Sequence, residues 1–306
     1  FTASGNTTGI ALIRYNANGT LDATFGATAA VPGIVTATIG QGIASDTVAL
    51  ALQGTNIIVA GASSTDGKLF LYRYDTNGNL DTTFGTSGTT ATPLPGALSP
   101  AIAFQSSGNI ILVSGTNGDQ AVLRYSANGI LDTSFGTAGI VTTDINNGSN
   151  NFANAVAVQQ VAGSPTLSDK ILVVGHANVS ADTSDISLVR YNADGTLDNT
   201  FNTAGTTPGI VTINLGGFDN AFSVALQDQS PAEPKILVSG NTGSGGFSQM
   251  AVLRYDSDGT PDATFGPTGN GVVIVSLAGP SNIASGNAVV LQPVGGGVGI
   301  IVAGYD

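Results

Sequence analysis

The sequence predicts an all-β fold, a single five-bladed β-propeller of four-stranded antiparallel blades. Three observations predict it: a repeat of roughly sixty residues, four short strand-like runs in each repeat, and a composition made for turns.

The repeat is most visible around an Arg-Tyr pair. The pair stands at Arg14-Tyr15, Arg73-Tyr74, Arg124-Tyr125, Arg190-Tyr191 and Arg254-Tyr255, at spacings of 59, 51, 66 and 64. A near-constant string follows each pair: YNANGTLDATFG from Tyr15, YDTNGNLDTTFG from Tyr74, YSANGILDTSFG from Tyr125, YNADGTLDNTFN from Tyr191 and YDSDGTPDATFG from Tyr255. An Asn-Gly or Asp-Gly pair between strand-like runs is a strong hairpin signal, because such turns need residues that tolerate positive φ.

Each repeat holds four runs, here called a to d. The a run ends in Gln and alternates small with large residues, as in Ala49-Leu50-Ala51-Leu52-Gln53 and Ala155-Val156-Ala157-Val158-Gln159. Period-two alternation puts the alanines on one face, which suits the innermost strand of a blade. The b run is apolar throughout and ends in Gly, as in Ile57-Ile58-Val59-Ala60-Gly61, so both of its faces are expected to be covered. The c run carries the Arg-Tyr pair. The d run is β-branched, as in Ile140-Val141-Thr142, and is degenerate at Thr89-Thr90-Ala91. Tight turns such as Ser106-Ser107-Gly108-Asn109 join a to b.

The chain starts with c and d runs and ends with a and b runs. The expectation is therefore one domain over residues 1–306, closed by pairing Ile300–Ala303 with the strand around Ala11–Tyr15, which removes exposed sheet edges. Phe1-Thr2-Ala3-Ser4-Gly5 resembles the end of a further b run, and it suggests a chain cut from a longer array.

Composition excludes several functions. The net charge is −12 with eight Lys and Arg, so no basic footprint for nucleic acid or for an anionic membrane surface can be assembled. No cysteine is present, which removes disulfides, thiolate metal sites and a cysteine nucleophile together. No apolar run reaches the length of a membrane-spanning helix. Charged residues are only 9% and Gly is 43 of 306, a profile of short strands and turns.

With these strings in view, the chain resembles the delta-60 repeat family of bacterial propeller proteins. RYNADGTLDNTFN with GIVT after it, and KILVVG, carry the resemblance, which extends over all five copies. Asn202 in place of Gly and Pro261 in place of Leu are local departures. The resemblance implies a repeat module of a large exported or surface protein, mostly without an assigned activity.

All five arginines of the protein are the repeat arginines. One reading makes them a ring of anion-binding groups. The favoured one pairs each with the aspartate eight residues on: Arg14 with Asp22, Arg73 with Asp81, Arg124 with Asp132, Arg190 with Asp198 and Arg254 with Asp262. Recurrence in every copy suits a structural ion pair beneath the turn. Oxygen-bearing residues at positions one, three and seven of the turn, Asp75, Asn77 and Asp81 or Asp256, Asp258 and Asp262, resemble the start of a calcium loop. The glutamate that completes such a loop is absent, so the expectation is no cofactor beyond a weakly held calcium ion.

Catalysis has little material. His176 is the only histidine, read as a loop residue after a b run. A glycosidase would need two facing carboxylates, and the entries to the a runs offer Asp46 and Asp219 among Pro100, Asn154 and Asn287. The expectation is no enzyme and no catalytic residue, but a structural or adhesive module of a secreted or surface-displayed bacterial protein: a spacer, an adhesin or a filament subunit. Its partners would be proteins or glycans at the cell surface, or its own terminal strands. A carbohydrate-binding propeller is the alternative, and a glycoside hydrolase a third.

Overall fold

The computed structural model describes residues 2–3, 7–41, 48–63, 66–145, 150–159, 169–180, 183–227, 234–244, 246–276, 283–295 and 297–305. Among these residues the chain consists of strands and turns, with no helix long and apolar enough to cross a membrane. β1 (Thr2–Ala3), β2 (Thr7–Ile13) and β3 (Ile34–Gln41) form a three-stranded sheet. Four four-stranded sheets follow. The first holds β4 (Val48–Gln53), β5 (Asn56–Ser63), β6 (Lys68–Tyr74) and β7 (Thr89–Pro93). The second holds β8 (Leu98–Phe104), β9 (Ile110–Thr116), β10 (Asp119–Tyr125) and β11 (Ile140–Thr143). The third holds β12 (Asn151–Gln159), β13 (Lys170–Ser180), β14 (Thr183–Tyr191) and β15 (Ile210–Ile213). The fourth holds β16 (Asn220–Gln227), β17 (Lys235–Ser244), β18 (Phe247–Tyr255) and β19 (Val272–Val275). A hairpin of β20 (Ser285–Val294) and β21 (Gly297–Tyr305) ends the chain. Every strand pair is antiparallel and joins neighbours in sequence, as in a propeller blade.

The inner strands β4, β8, β12, β16 and β20 pack one on the next in that order. Their alternation explains how they fit. Ile102 and Phe104 of β8 enter the core formed with Ile58 and Ala60 of the preceding sheet, and Ala49 meets the same core from β4. Val156 with Val158, and Val224 with Leu226, repeat the arrangement against their own preceding sheets. Large residues thus face backwards and alanines forwards, which lets neighbouring sheets approach to close-packed distance.

The b strands of the four-stranded sheets are buried on both faces, with Ile110, Ile111, Leu112 and Val113 all at 0% exposure. The glycine that closes each b run has a steric cause. A Cβ on Gly175 would lie 1.7 Å from the Phe152 carbonyl oxygen, and one on Gly240 1.8 Å from that of Asn220. Each faces a β-bulge where the inner strand slips register, between Ala153 and Ala155 and between Ala221 and Ser223. The Ser106–Asn109 turn closes as a hairpin, with Gly108 N donating to the Gln105 carbonyl at 2.8 Å. The d run at Thr89, expected to be degenerate, is a full strand, because threonine suits a strand as well as valine does.

Among the described residues the expected closure of the ring is not formed. β21 pairs with β20 only, and β2 with β1 and β3. The row of inner strands therefore has two ends. At β4, Val48, Leu50 and Leu52 are 50%, 64% and 66% exposed; at the other end Val290 and Ile301 are 55% and 43% exposed. The physical reason is that the repeat fixes how one sheet packs on the next, and nothing in that local packing fixes how many sheets complete a turn. Thr2 and Ala3 pair with Thr8 and Thr7, where a b strand meets its c strand, while Phe1, Ser4 and Gly5 lie outside the described residues.

Candidate functional site

The arginine, aspartate and turn residues of each repeat come together as a joint between successive sheets. Arg73, Arg124, Arg190 and Arg254 lie near the ends of β6, β10, β14 and β18, and Arg14 follows β2. Each grips the aspartate eight residues on: Arg14–Asp22, Arg73–Asp81, Arg190–Asp198 and Arg254–Asp262 at 2.7 Å, and Arg124–Asp132 at 2.8 Å. Each guanidinium also lies over a phenylalanine of its own repeat, with 4.8 Å to the ring centres of Phe25, Phe84 and Phe135, 4.3 Å to Phe201 and 4.6 Å to Phe265. The other aspartate oxygen accepts from the backbone and hydroxyl of the residue two further on, as Asp81 does from Thr83 at 3.0 and 2.6 Å.

These contacts set the ionisation of the aspartates. Hydrogen bonds from Thr24 and Thr83 are the main reason Asp22 and Asp81 stay below the usual carboxylate range. Burial opposes ionisation of Asp198, but hydrogen bonds from Thr200 and Lys170 and the Arg190 charge outweigh it, lowering the pKa to about 2. At Asp262 burial is likewise outweighed, by Thr264, Lys235 and Arg254, and its pKa is also lowered.

The joint then reaches across to the next repeat. Nη1 of Arg14 donates to the Thr76 carbonyl, Arg73 to Ala127 at 2.9 Å, Arg124 to Ala193, and Arg190 to Ser257. Each acceptor sits in the Gly turn of the following repeat. Beside it a second bond runs between backbones: Gly26 to Asn77, Gly85 to Asn128, Gly136 to Asp194 and Asn202 to Asp258. Asn202 replaces Gly at φ +52°, a conformation asparagine tolerates, and its side chain caps the Ile210 carbonyl at 2.6 Å. The turn glycine has its own reason. At Gly129, with φ +78°, a Cβ would lie 2.4 Å from the Phe84 ring that fills the space above it.

Sequence reasoning placed each ion pair beneath its own turn and missed the sheet-to-sheet half. It also passed over Phe25 and its counterparts, the Thr or Ser beside each aspartate, and the Gln ending each a run. Gln53 and Gln227 accept from Arg73 and Arg254 at 3.2 and 3.4 Å. The signal was present, since these residues recur in all five copies.

The calcium candidates are held by donors. Asp75 accepts from the amides of Asn77 and Asn79, both at 2.8 Å, and Asp81 from Arg73 and Thr83. Asp256 meets Lys235, Asp258 accepts from Thr260, and Asp262 is shared by Arg254, Lys235 and Thr264. Asn77 contributes its carbonyl to Gly26. Among the described residues no three acidic or histidine side chains gather to hold a metal.

His176 is not a loop residue. It lies within β13 because that strand continues past Gly175 into a long hairpin, and its ring stacks on Phe152 at 4.6 Å. Burial lowers its pKa to about 4. Asp219 is wholly buried and accepts from Thr242 and the Leu215 amide, while Asp46 lies outside the described residues. Asn154 donates to the Ala221 carbonyl at 2.8 Å, and Asn287 Oδ1 accepts from the Ser285 hydroxyl at 2.7 Å. A cleft of about 570 Å³ between the third and fourth sheets is lined by uncharged residues, among them Asn202, Thr206, Thr207, Asn214 and Asn270.

A family model described as "Domain of unknown function (DUF5122) beta-propeller" matches residues 1–25, 56–84, 105–135, 167–201 and 235–265. Each matched segment ends on the phenylalanine of one joint, and the match supports a β-propeller repeat family. No curated protein matches the chain. Among solved structures, a bifunctional GH43-CE protein from Bacteroides eggerthii is similar at a TM-score of 0.37 and 14% identity, over 75% of this chain and 31% of that one. Drosophila Semaphorin 2a is similar at a TM-score of 0.35 and 10% identity, over 79% of this chain and 43% of that one. The chain thus spans less than half the length of either, and likeness at this level does not bear on chemistry.

Proposed function

We propose that these repeats form a non-catalytic structural or adhesive module of a secreted or surface-displayed bacterial protein. The observation that carries this reading is the direction in which the repeat chemistry points. The repeat arginines, the strongest polar groups of the motif, pair with the aspartates of their own repeats and donate to turn carbonyls of the next, so their bonds are used within and between sheets. Lys170 and Lys235 join the same joints through Asp198 and Asp262. Such a design uses charge to fix the geometry of a rigid array and leaves an acidic, weakly functionalised exterior.

A carbohydrate-binding role is the second reading, favoured by the cleft beside Asn202 with its amide and hydroxyl lining. It lacks an aromatic platform, because Trp is absent and Tyr255 is only 2% exposed. A glycan array combined with small-angle X-ray scattering separates the two. The structural reading expects no saturable glycan binding and a scattering profile of one rigid body. Saturable binding that is lost in Asn202→Gly would replace it with the lectin. Turnover of a glycoside would replace both.

A further inference from the structure

The joints of the second, third and fourth sheets differ in one residue, and the difference leaves a space. Lys170 and Lys235 open β13 and β17, each opposite the glutamine that ends its a run, Gln159 or Gln227. From there the Lys170 ammonium lies 3.0 Å from Asp198 Oδ2 and donates to Asn192 Oδ1 at 2.6 Å. That of Lys235 lies 3.3 Å from Asp262 Oδ2 and also meets Asp256. The corresponding residue of the second sheet is Asn109, whose carbonyl accepts from the Gln105 amide at 2.9 Å. Its joint therefore holds Arg124 and Asp132 without a lysine at that position. Asp132 is 27% exposed, whereas Asp198 and Asp262, each paired with a lysine, are 2% exposed.

Asn109 borders a pocket of about 350 Å³, together with Gln105, Arg124 and Asn192, Ala193 and Asp194 of the next turn. The glutamine brings an unused acceptor to it. Gln105 is 4% exposed, and its Oε1 is buried with no donor among the described residues. Turning the amide over does not cure this, because Nε2 donates to the Ala193 carbonyl at 3.3 Å and reversal would set two oxygens face to face. In the other joints the same oxygen is used: Gln53, Gln159 and Gln227 accept from Arg73, Arg190 and Arg254 at 3.2, 3.4 and 3.4 Å. The first sheet also has asparagine at the lysine position, Asn56 opposite Gln53. There, however, Gln53 both accepts from Arg73 and donates to the Ala127 carbonyl at 3.1 Å. An acceptor buried without a donor is costly, and a donor that enters the pocket removes that cost.

We propose that the Arg124 joint is a binding site for a primary alkylammonium group, which enters the pocket beside Asn109 and takes the part that Lys170 and Lys235 play in their own joints. An ammonium offers only donors. The groups that await it are acceptors: the Gln105 oxygen, the Asp194 carboxylate on the pocket wall and the open Asp132 carboxylate. An anion would be repelled by the same oxygens, and Arg124 is already committed to Asp132 and the Ala193 carbonyl. Lys170 reaches the same turn at Asn192 but is paired with Asp198. A free amine and the lysine side chain of another polypeptide present this one chemistry. The site goes beyond the structural reading of the repeats, since the array stands whether or not it is filled.

An NMR titration of the whole chain with n-butylammonium, the lysine side chain cut free of its backbone, tests the site. The expected result is a saturable shift of the Gln105 side-chain amide and of the turn at 106–109, in the millimolar range. Two controls should produce no such shift: n-butanol, which has no charge, and tetramethylammonium, which has no N–H donor. Asn109→Lys supplies the ammonium from within the chain and should weaken butylammonium binding by at least about tenfold. A short peptide with blocked ends and one central lysine separates the sources. Tighter binding than butylammonium assigns the site to a polypeptide lysine, and equal or weaker binding assigns it to a free amine. Shifts that never saturate overturn the proposal, and so does an equal response to tetramethylammonium or butanol. An Asn109→Lys chain that binds butylammonium as the wild type does overturns it too. Each of these results leaves the structural reading standing, which glycan binding or turnover alone would remove.

Discussion

Arg190 Nε lies 2.7 Å from Asp198 Oδ2, with the two side chains 7% and 2% exposed, while the matching atoms of Arg14 and Asp22 are also 2.7 Å apart at 35% and 18% exposure. One geometry therefore occurs in two solvent environments, and the difference should govern its energetic weight. Asp198→Ala leaves Arg190 and Lys170 facing a buried space without their partner, and should cost about 3–5 kcal/mol. Asp22→Ala should cost well under half as much. Equilibrium urea unfolding of the two variants checks the gradient, and equal losses would show that burial does not set the strength of the joint.

Stability should depend on pH in two windows. His176 has its pKa lowered by burial from 6.5 to about 4, so the unfolded chain binds the proton more readily. Its contribution is complete above pH 6.5 and is lost as the pH falls towards 4. Asp198, lowered from 3.8 to about 2, contributes above its unfolded value and loses that contribution between about pH 4 and 2, on the order of 2 kcal/mol. Thermal melts from pH 8 to 2 should show both declines. His176→Leu should abolish the upper one and leave the lower.

The tyrosines beside the arginines offer a third test. Tyr125 donates to Thr92 Oγ1 at 2.8 Å, and Tyr191 meets Thr143 at 2.6 Å, each reaching the preceding sheet. Strand register puts Ala37 and Ile213 at the corresponding positions of the other sheets. The Tyr74 hydroxyl is accordingly buried without a partner, and burial pushes its pKa up to about 12. Ala37→Thr should supply the missing acceptor and stabilise by about 0.5–1.5 kcal/mol. Thr143→Val should instead cost about 1–3 kcal/mol, and calorimetric melting temperatures should move in opposite directions.

Glycine substitution separates backbone strain from packing. Gly19 and Gly129 share nearly the same backbone, φ +82° and +78°, yet only Gly129 faces a ring, that of Phe84. Gly19→Ala should cost about 1–2 kcal/mol for the left-handed conformation alone. Gly129→Ala adds about 1–3 kcal/mol of overpacking. The difference between the two variants in urea unfolding measures the fit of the phenylalanine under which the turn sits.

Much of this was legible in the sequence, and the limit is instructive. The alternation of Ala49 to Leu52 and the apolar run at Ile57 to Ala60 define strands by periodicity, and the Arg14–Asp22 spacing points to a pair, because these are local patterns. The Arg73 contact with Ala127 was not legible, since a backbone carbonyl carries no identity in a sequence and the two residues lie 54 apart. His176 was misplaced for a related reason. A glycine that relieves a bulge in the neighbouring strand looks, in one dimension, like a glycine that ends its own. Closure was expected from the order of runs, but end-to-end pairing is a global property that no single repeat encodes.

The directional joint has an evolutionary corollary. A repeat that carries its donor on one boundary and its acceptor on the other is a complete hereditary unit. Duplicating the segment from one phenylalanine to the next inserts a new Arg, Asp, Phe and turn Gly together, and both flanking copies find the partners they already had. A duplication out of that phase would strand an arginine or a turn. Variation in repeat number among descendants of such a gene should therefore come in whole units, whereas variation within a unit should concentrate in the hairpin loops, where no joint is touched.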